Sequence, residues 1–192
     1  NKLKSGDLFP DLTLKLVGGE VLSLPGDLES PMTVVLFYEA IGDPIAAGYW
    51  LVMKSAVMRS ESKGFIIAAT VDSEEKTAEV AADLGFSVAW GVTREDGDAL
   101  GAWWEERRDH IQPSEFVLSQ SGKVMFSTYS NSPVGRMDPQ ETLTLIKYLN
   151  GKGLKPEKKQ SKQRASQQIS PEISRQDLPA PLRHTTAPFP TR

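Results

Sequence analysis

The chain has 192 residues, 39% of them hydrophobic and 24% charged, with a formal net charge of −3, which suits one domain or one domain with an appended segment. It contains no cysteine, which excludes disulfides, cysteine-ligated zinc, iron–sulfur clusters and thiol chemistry. Its two histidines, His110 and His184, are too few for a histidine-rich metal site, and no apolar run reaches membrane-spanning length.

In chain order, Leu12 to Val17 alternates apolar and polar residues and predicts a strand. Gly18-Gly19 is a turn and Val21 to Leu24 the returning strand. Thr33 to Tyr38 (TVVLFY) is a continuous β-branched and aromatic run that suits a buried parallel strand. Pro44 then opens a helix to about Arg59, with Ile45, Tyr49, Val52 and Ala56 at helical spacing. Gly64 ends it, and Phe65 to Val71 (FIIAATV) is a second buried strand. Asp72 or Ser73 caps the next helix, Glu74 and Glu75 suit its positive end, and Gly85 follows its last residue, Leu84. Phe86 to Trp90 is a short strand. Asp96 or Asp98 is expected to start a third helix carrying Leu100, Trp103 and Trp104. Ser114 to Ser119 and Val124 to Tyr129 are strands about the turn Gln120-Ser121-Gly122-Lys123. Asp138-Pro139 places an N-cap before a proline at the first helical position, and this helix ends at about Asn150. The order predicts an α/β sandwich: a mixed central sheet flanked by helices, with an N-terminal β-hairpin extension. In open sheets of this kind sites form beyond the carboxyl ends of the parallel strands, here Glu39–Pro44 and Thr70–Ser73.

The domain is expected to span residues 1–150. Residues 151–192 carry nine basic and three acidic side chains, a net of +6, which leaves −9 on residues 1–150. This basic Pro-, Gln- and Ser-rich segment has too little apolar surface to offset its ordering entropy, and a disordered or extended tail is expected. It reads first as a solubilising tail and second as a contact for an anionic surface. It lacks the interleaved aromatics of a nucleic-acid binder. Lys2 and Lys4 precede no apolar core, so no secretory signal is read and a cytoplasmic location is expected.

Several words in this order resemble the peroxiredoxin-like (alkyl hydroperoxide reductase/thiol-specific antioxidant) branch of the thioredoxin-fold superfamily. They are Gly6-Asp7-Leu8-Phe9-Pro10-Asp11, Val21-Leu22-Ser23-Leu24, Val34 to Tyr38, Gln112-Pro113-Ser114-Glu115-Phe116-Val117-Leu118, Gly122-Lys123-Val124 and Asn131-Ser132-Pro133-Val134-Gly135-Arg136. The resemblance covers about residues 5–150. It implies a thioredoxin-like sandwich, a cis Gln112–Pro113 peptide, and thiol-dependent reduction of peroxides or disulfides as the relatives' reaction. Active members place a Cys-Pro-x-Cys segment at a helix N-terminus, where the helix dipole favours the thiolate. Here the degenerate positions are Asp43, Pro44 and Ala46, so no catalytic residue is assigned. The arginine that supports peroxide in relatives is replaced at the matching position by Pro113.

Asp43 reads as an N-cap, with its pKa held down and poor as a base. Trp103 and Trp104 read as core in at least one case. Arg107, Arg108 and Arg136 read first as solvated, with Arg136 retained as a site candidate because it lies in a family-like word. The candidate binding residues are therefore Glu39, Asp43, Pro113 and Arg136, with no metal ligand and no cofactor. The expected function is that of a cysteine-less peroxiredoxin-like domain that has lost thiol chemistry and acts by binding a protein partner. A homodimer is a candidate assembly. The alternative is a thiol-dependent oxidoreductase that relies on partner thiols.

Overall fold

The computed structural model describes residues 1–39, 49, 55 and 66–151. The expected helix from Pro44 lies outside these residues except for Tyr49 and Ser55, both helical. Asp43, Pro44, Ala46 and the basic segment 152–192 also lie outside them.

Two β-strands, β1 (Leu12–Leu16) and β2 (Val21–Leu24), form the N-terminal hairpin. Next come β3 (Met32–Tyr38), β4 (Ile66–Thr70), α1 (Glu74–Leu84), β5 (Ser87–Trp90) and α2 (Arg94–Leu100). A two-stranded ribbon, β6 (Trp104–Glu105) and β7 (His110–Ile111), precedes β8 (Ser114–Ser119), β9 (Val124–Tyr129) and α3 (Pro139–Gly151). The seven-stranded sheet has the order β2-β1-β5-β4-β3-β8-β9. Strands β3, β4 and β5 are parallel, while β1 joins β5, and β8 joins β3 and β9, antiparallel. This is the expected mixed sheet of a thioredoxin-like fold.

Burial explains why β3 reads as an unbroken apolar run. Val35 and Phe37 face one core with Phe9, Ile67, Leu100, Ile111 and Phe116. Val34, Leu36 and Tyr38 face the other with Ile66, Leu84, Val117 and Ile146. A strand covered on both sides has no polar face to alternate. Phe116 anchors the first core, meeting Phe9, Phe37 and Tyr129 edge-on at centroid distances of 5.2, 6.1 and 5.5 Å.

Helix ends follow local chemistry. Gly85 ends α1 in the left-handed conformation, with φ of 73°. Asp138 Oδ1 accepts the N–H groups of Gln140 and Glu141, both at 2.9 Å, with Pro139 at the first helical position. The start of α2 differs from expectation. Thr93 is the N-cap, and Asp96 closes a capping box from the third helical position rather than starting the helix. Gly101 stops α2, so Trp103 and Trp104 lie beyond it. Trp104 packs on the first core, whereas Trp103 is 49% exposed.

The expected cis Gln112–Pro113 peptide is also corrected. That bond is trans, and the cis bond among the described residues is Leu24–Pro25. The backbone runs extended from β7 into β8, with Gln112 N–H bonded to Trp103 O at 2.8 Å and Pro113 O accepting Ser130 N–H at 2.9 Å. Main-chain bonds on both sides of the junction hold it in place. No helix among the described residues is long and apolar enough to cross a membrane.

Candidate functional site

The carboxyl end of β3 is where the sequence places the candidate residues. The pairing of Phe37 with Ser114 carries Glu39 and the Gln112-Pro113 junction to the same end of the sheet. Arg136 reaches that end from the segment between β9 and α3. Ser130 organises this segment: its hydroxyl lies 2.8 Å from Ser132 O and 2.5 Å from Val134 O, and it accepts Ser132 N–H at 3.2 Å. Gly135 (φ +106°) passes so close that a Cβ there would sit 2.9 Å from Ser130 Oγ. The resulting tight turn delivers Arg136 inward.

Arg136 is not solvated, contrary to its first reading. Its Nη2 donates to Glu39 Oε1 at 3.1 Å, and the side chains are only 6% and 4% exposed respectively. Nε and Nη2 also approach Pro133 O at 3.4 and 3.3 Å. The guanidinium lies 4.2 Å from the ring centroid of Tyr38 and 6.0 Å from that of Tyr49, so two aromatic faces help replace its lost hydration. Its buried Nη1 has no hydrogen-bond partner among the described residues. A buried pair of this kind is costly to split, because either member alone is an uncompensated charge.

A second buried acid, Glu115 on β8, lies behind this pair and was not singled out in the sequence. It accepts the Tyr38 hydroxyl and, at 2.5 Å, the Met137 N–H. Burial raises its pKa, opposed by those hydrogen bonds and by the Arg136 charge. Burial likewise pushes the Tyr38 phenol well above its ordinary range, and the Glu115 charge adds to the shift. The available signal was a lone acid in the apolar run SEFVLS, paired with another fully buried strand. Glu39, Arg136, Tyr38 and Glu115 thus form one polar cluster. Pro113 is buried at the same end, and Asp43 lies outside the described residues.

This arrangement holds charge and fixes geometry but contains no nucleophile of the thiol type, since the chain has no cysteine. Its acids are tied down: Glu39 by Arg136, Glu115 by a phenol and a main-chain N–H.

Comparison with known proteins agrees with this architecture. The chain superposes on the Mycobacterium tuberculosis AhpC structure with a TM-score of 0.66 and 17% identity, covering 81% of this chain and 97% of that one. For the peroxidoxin BcpB from Mycobacterium tuberculosis the values are 0.65 and 17%, covering 77% and 98%. For a peroxiredoxin-like protein from Aquifex aeolicus they are 0.64 and 15%, covering 78% and 89%. At these identities the likeness speaks for the fold. No curated protein sequence matches the chain. Residues 5–127 match the AhpC/TSA family, and with most of its length matched, and the peroxiredoxin fold in place, this cysteine-free chain belongs to that family.

Proposed function

We propose that the chain is a non-catalytic member of its family that works by binding a protein partner at the carboxyl end of β3. The observation that carries this reading is the combination of a family scaffold with no cysteine at all. The family resemblance puts Asp43 and Ala46 at the thiol positions. The polar cluster of Glu39, Tyr38, Glu115 and Arg136 supports the reading as a rigid frame for the docking end, with Pro113 beside it. Residues 1–150 are the binding domain. The segment 151–192, with its net charge of +6, is a second attachment that raises affinity for the same partner through effective concentration.

The test is peroxide consumption by the full chain with thioredoxin or glutathione as reductant. The expected rate equals that of buffer with reductant alone. Turnover well above it would overturn the non-catalytic reading and restore an oxidoreductase that borrows partner thiols.

A further inference from the structure

The β6–β7 ribbon forms a two-stranded sheet of its own, apart from the seven-stranded one. Its loop, residues 106–109, is held by three carboxylates, each with a partner. Glu105 Oε1 accepts the Arg107 N–H at 3.0 Å. Glu106 takes two bonds from the Arg94 guanidinium, at 2.5 and 2.6 Å. Asp109, at a positive φ of 51°, accepts Trp104 Nε1–H at 3.0 Å. The two cations of the same loop, Arg107 and Arg108, are exposed and have no side-chain hydrogen bond or ion pair among the described residues. The loop is braced by its acids and presents its bases.

Those two arginines line a pocket of about 460 Å³ with Glu105, His110, Gln112 and Pro133. Gln112 is 4% exposed, and its Oε1 has no hydrogen-bond partner among the described residues. A buried acceptor without a partner among the described residues can take an N–H from an occupant of the pocket. The pocket thus asks for two things of an occupant: negative charge for the guanidiniums, and an N–H donor for Gln112. A peptide with a carboxylate supplies both, whereas a phosphodiester backbone supplies only the first. The chain's own segment 152–192 is basic and is not the complement.

We propose that the β6–β7 loop and Gln112 form a docking site for an acidic peptide segment of a partner protein. Arg107 and Arg108 take its carboxylates, a geometry that arginine suits, and Gln112 Oε1 takes a peptide N–H. Glu105 at the pocket's edge sets the register by repelling a misplaced acid. The inference rests on the binding reading above and names the chemistry of the partner.

The test uses fluorescence anisotropy of the full chain with a labelled octapeptide of alternating Glu and Ser. Saturable binding is expected, weakened roughly tenfold or more in Arg107→Ala/Arg108→Ala, the size of a lost charge-assisted bond, and largely kept in the double lysine variant. Gln112→Leu is expected to weaken it about threefold or more, as loss of one neutral hydrogen bond would. A peptide with Gln for Glu and one with an amidated terminus distinguish side-chain from terminal carboxylates; dependence on either supports the proposal. Three results overturn it: no saturable binding, affinity unchanged in the double alanine variant (the basic segment then carries it), or an equally tight, equally arginine-dependent complex with single-stranded DNA. Far-UV circular dichroism of the variants is expected to match that of the parent, since the two arginine side chains make no hydrogen bond or ion pair among the described residues. Peroxide turnover is measured separately, so failure of the non-catalytic reading is distinguishable from failure of this one.

Discussion

Glu115 shows how one residue sets a pH dependence for the whole domain. Its pKa is raised in the folded chain, burial being the largest cause, whereas in the unfolded chain it titrates near an ordinary value of about 4.3. The folded state therefore holds the proton to higher pH than the unfolded state does. By linkage, the stability contributed by this group is full at low pH and is lost as pH rises from about 4 through the raised folded value. Glu115→Gln removes that titration while keeping the shape. In urea denaturation at several pH values, the difference between variant and parent is expected to move in favour of the variant as pH rises. A difference that stays flat with pH would mean that Glu115 titrates normally. Glu115→Ala, in contrast, strips the acceptor from Tyr38 and Met137 together, and is expected to cost about 3 kcal/mol or more at any pH.

At the scale of elements, the junction of α2 with the N-terminal segment makes a sharper case. Gly101 caps α2 at φ +68°, and a Cβ there would lie 2.4 Å from Asn1 O and 2.9 Å from Lys2 N. Lys2 is pinned at this point, donating to Gly101 O at 3.0 Å with its ammonium 4.2 Å from the Trp103 ring centroid and 4.5 Å from that of Tyr129. Gly85 is the natural control, since it has φ +73° but nothing within 4 Å of its would-be Cβ. Gly85→Ala is expected to cost about 1–2 kcal/mol, the left-handed penalty alone. Gly101→Ala is expected to cost at least about 1 kcal/mol more by displacing the segment, a rough packing allowance, with faster proteolysis near Lys2. Equal losses in the two variants would show that the segment contributes nothing. The elements most legible in the sequence were those whose cause is local: the runs TVVLFY and SEFVLS, the Gln120–Lys123 turn, and the Asp138-Pro139 helix start. The start of α2 was misplaced because Asp96 signals a helix start equally well as N-cap or as the third residue of a capping box. Strands β6 and β7, of two residues each, are too short for any period to show.

The candidate site is a property of the whole molecule, and this is why only part of it could be read from one sequence. Glu39 and Arg136 lie 97 residues apart, and Glu115 meets Tyr38 only because β8 pairs with β3. A family-like word flagged Arg136 and the carboxyl end of the predicted parallel strand flagged Glu39, but nothing in one sequence says that they pair. Restoring a thiol meets the same long-range constraint. The family resemblance implies a thiol that works with a cation at the position before the Phe116 strand. In this chain that position is the buried Pro113, with no side-chain donor, and the nearby guanidinium of Arg136 is bonded to Glu39 and stacked on Tyr38. A missing transition-state donor typically costs about 10²–10³ in rate. Asp43→Cys in the full chain is therefore expected to yield a thiol titratable with a chromogenic disulfide but peroxide consumption at least about a hundredfold below that of a working family member, assayed side by side. Near-parity would show that the scaffold kept its chemistry and lost only the sulfur; the expected result places the loss across the whole carboxyl end of β3, where the buried ion pair now occupies the only guanidinium described within reach of Glu39.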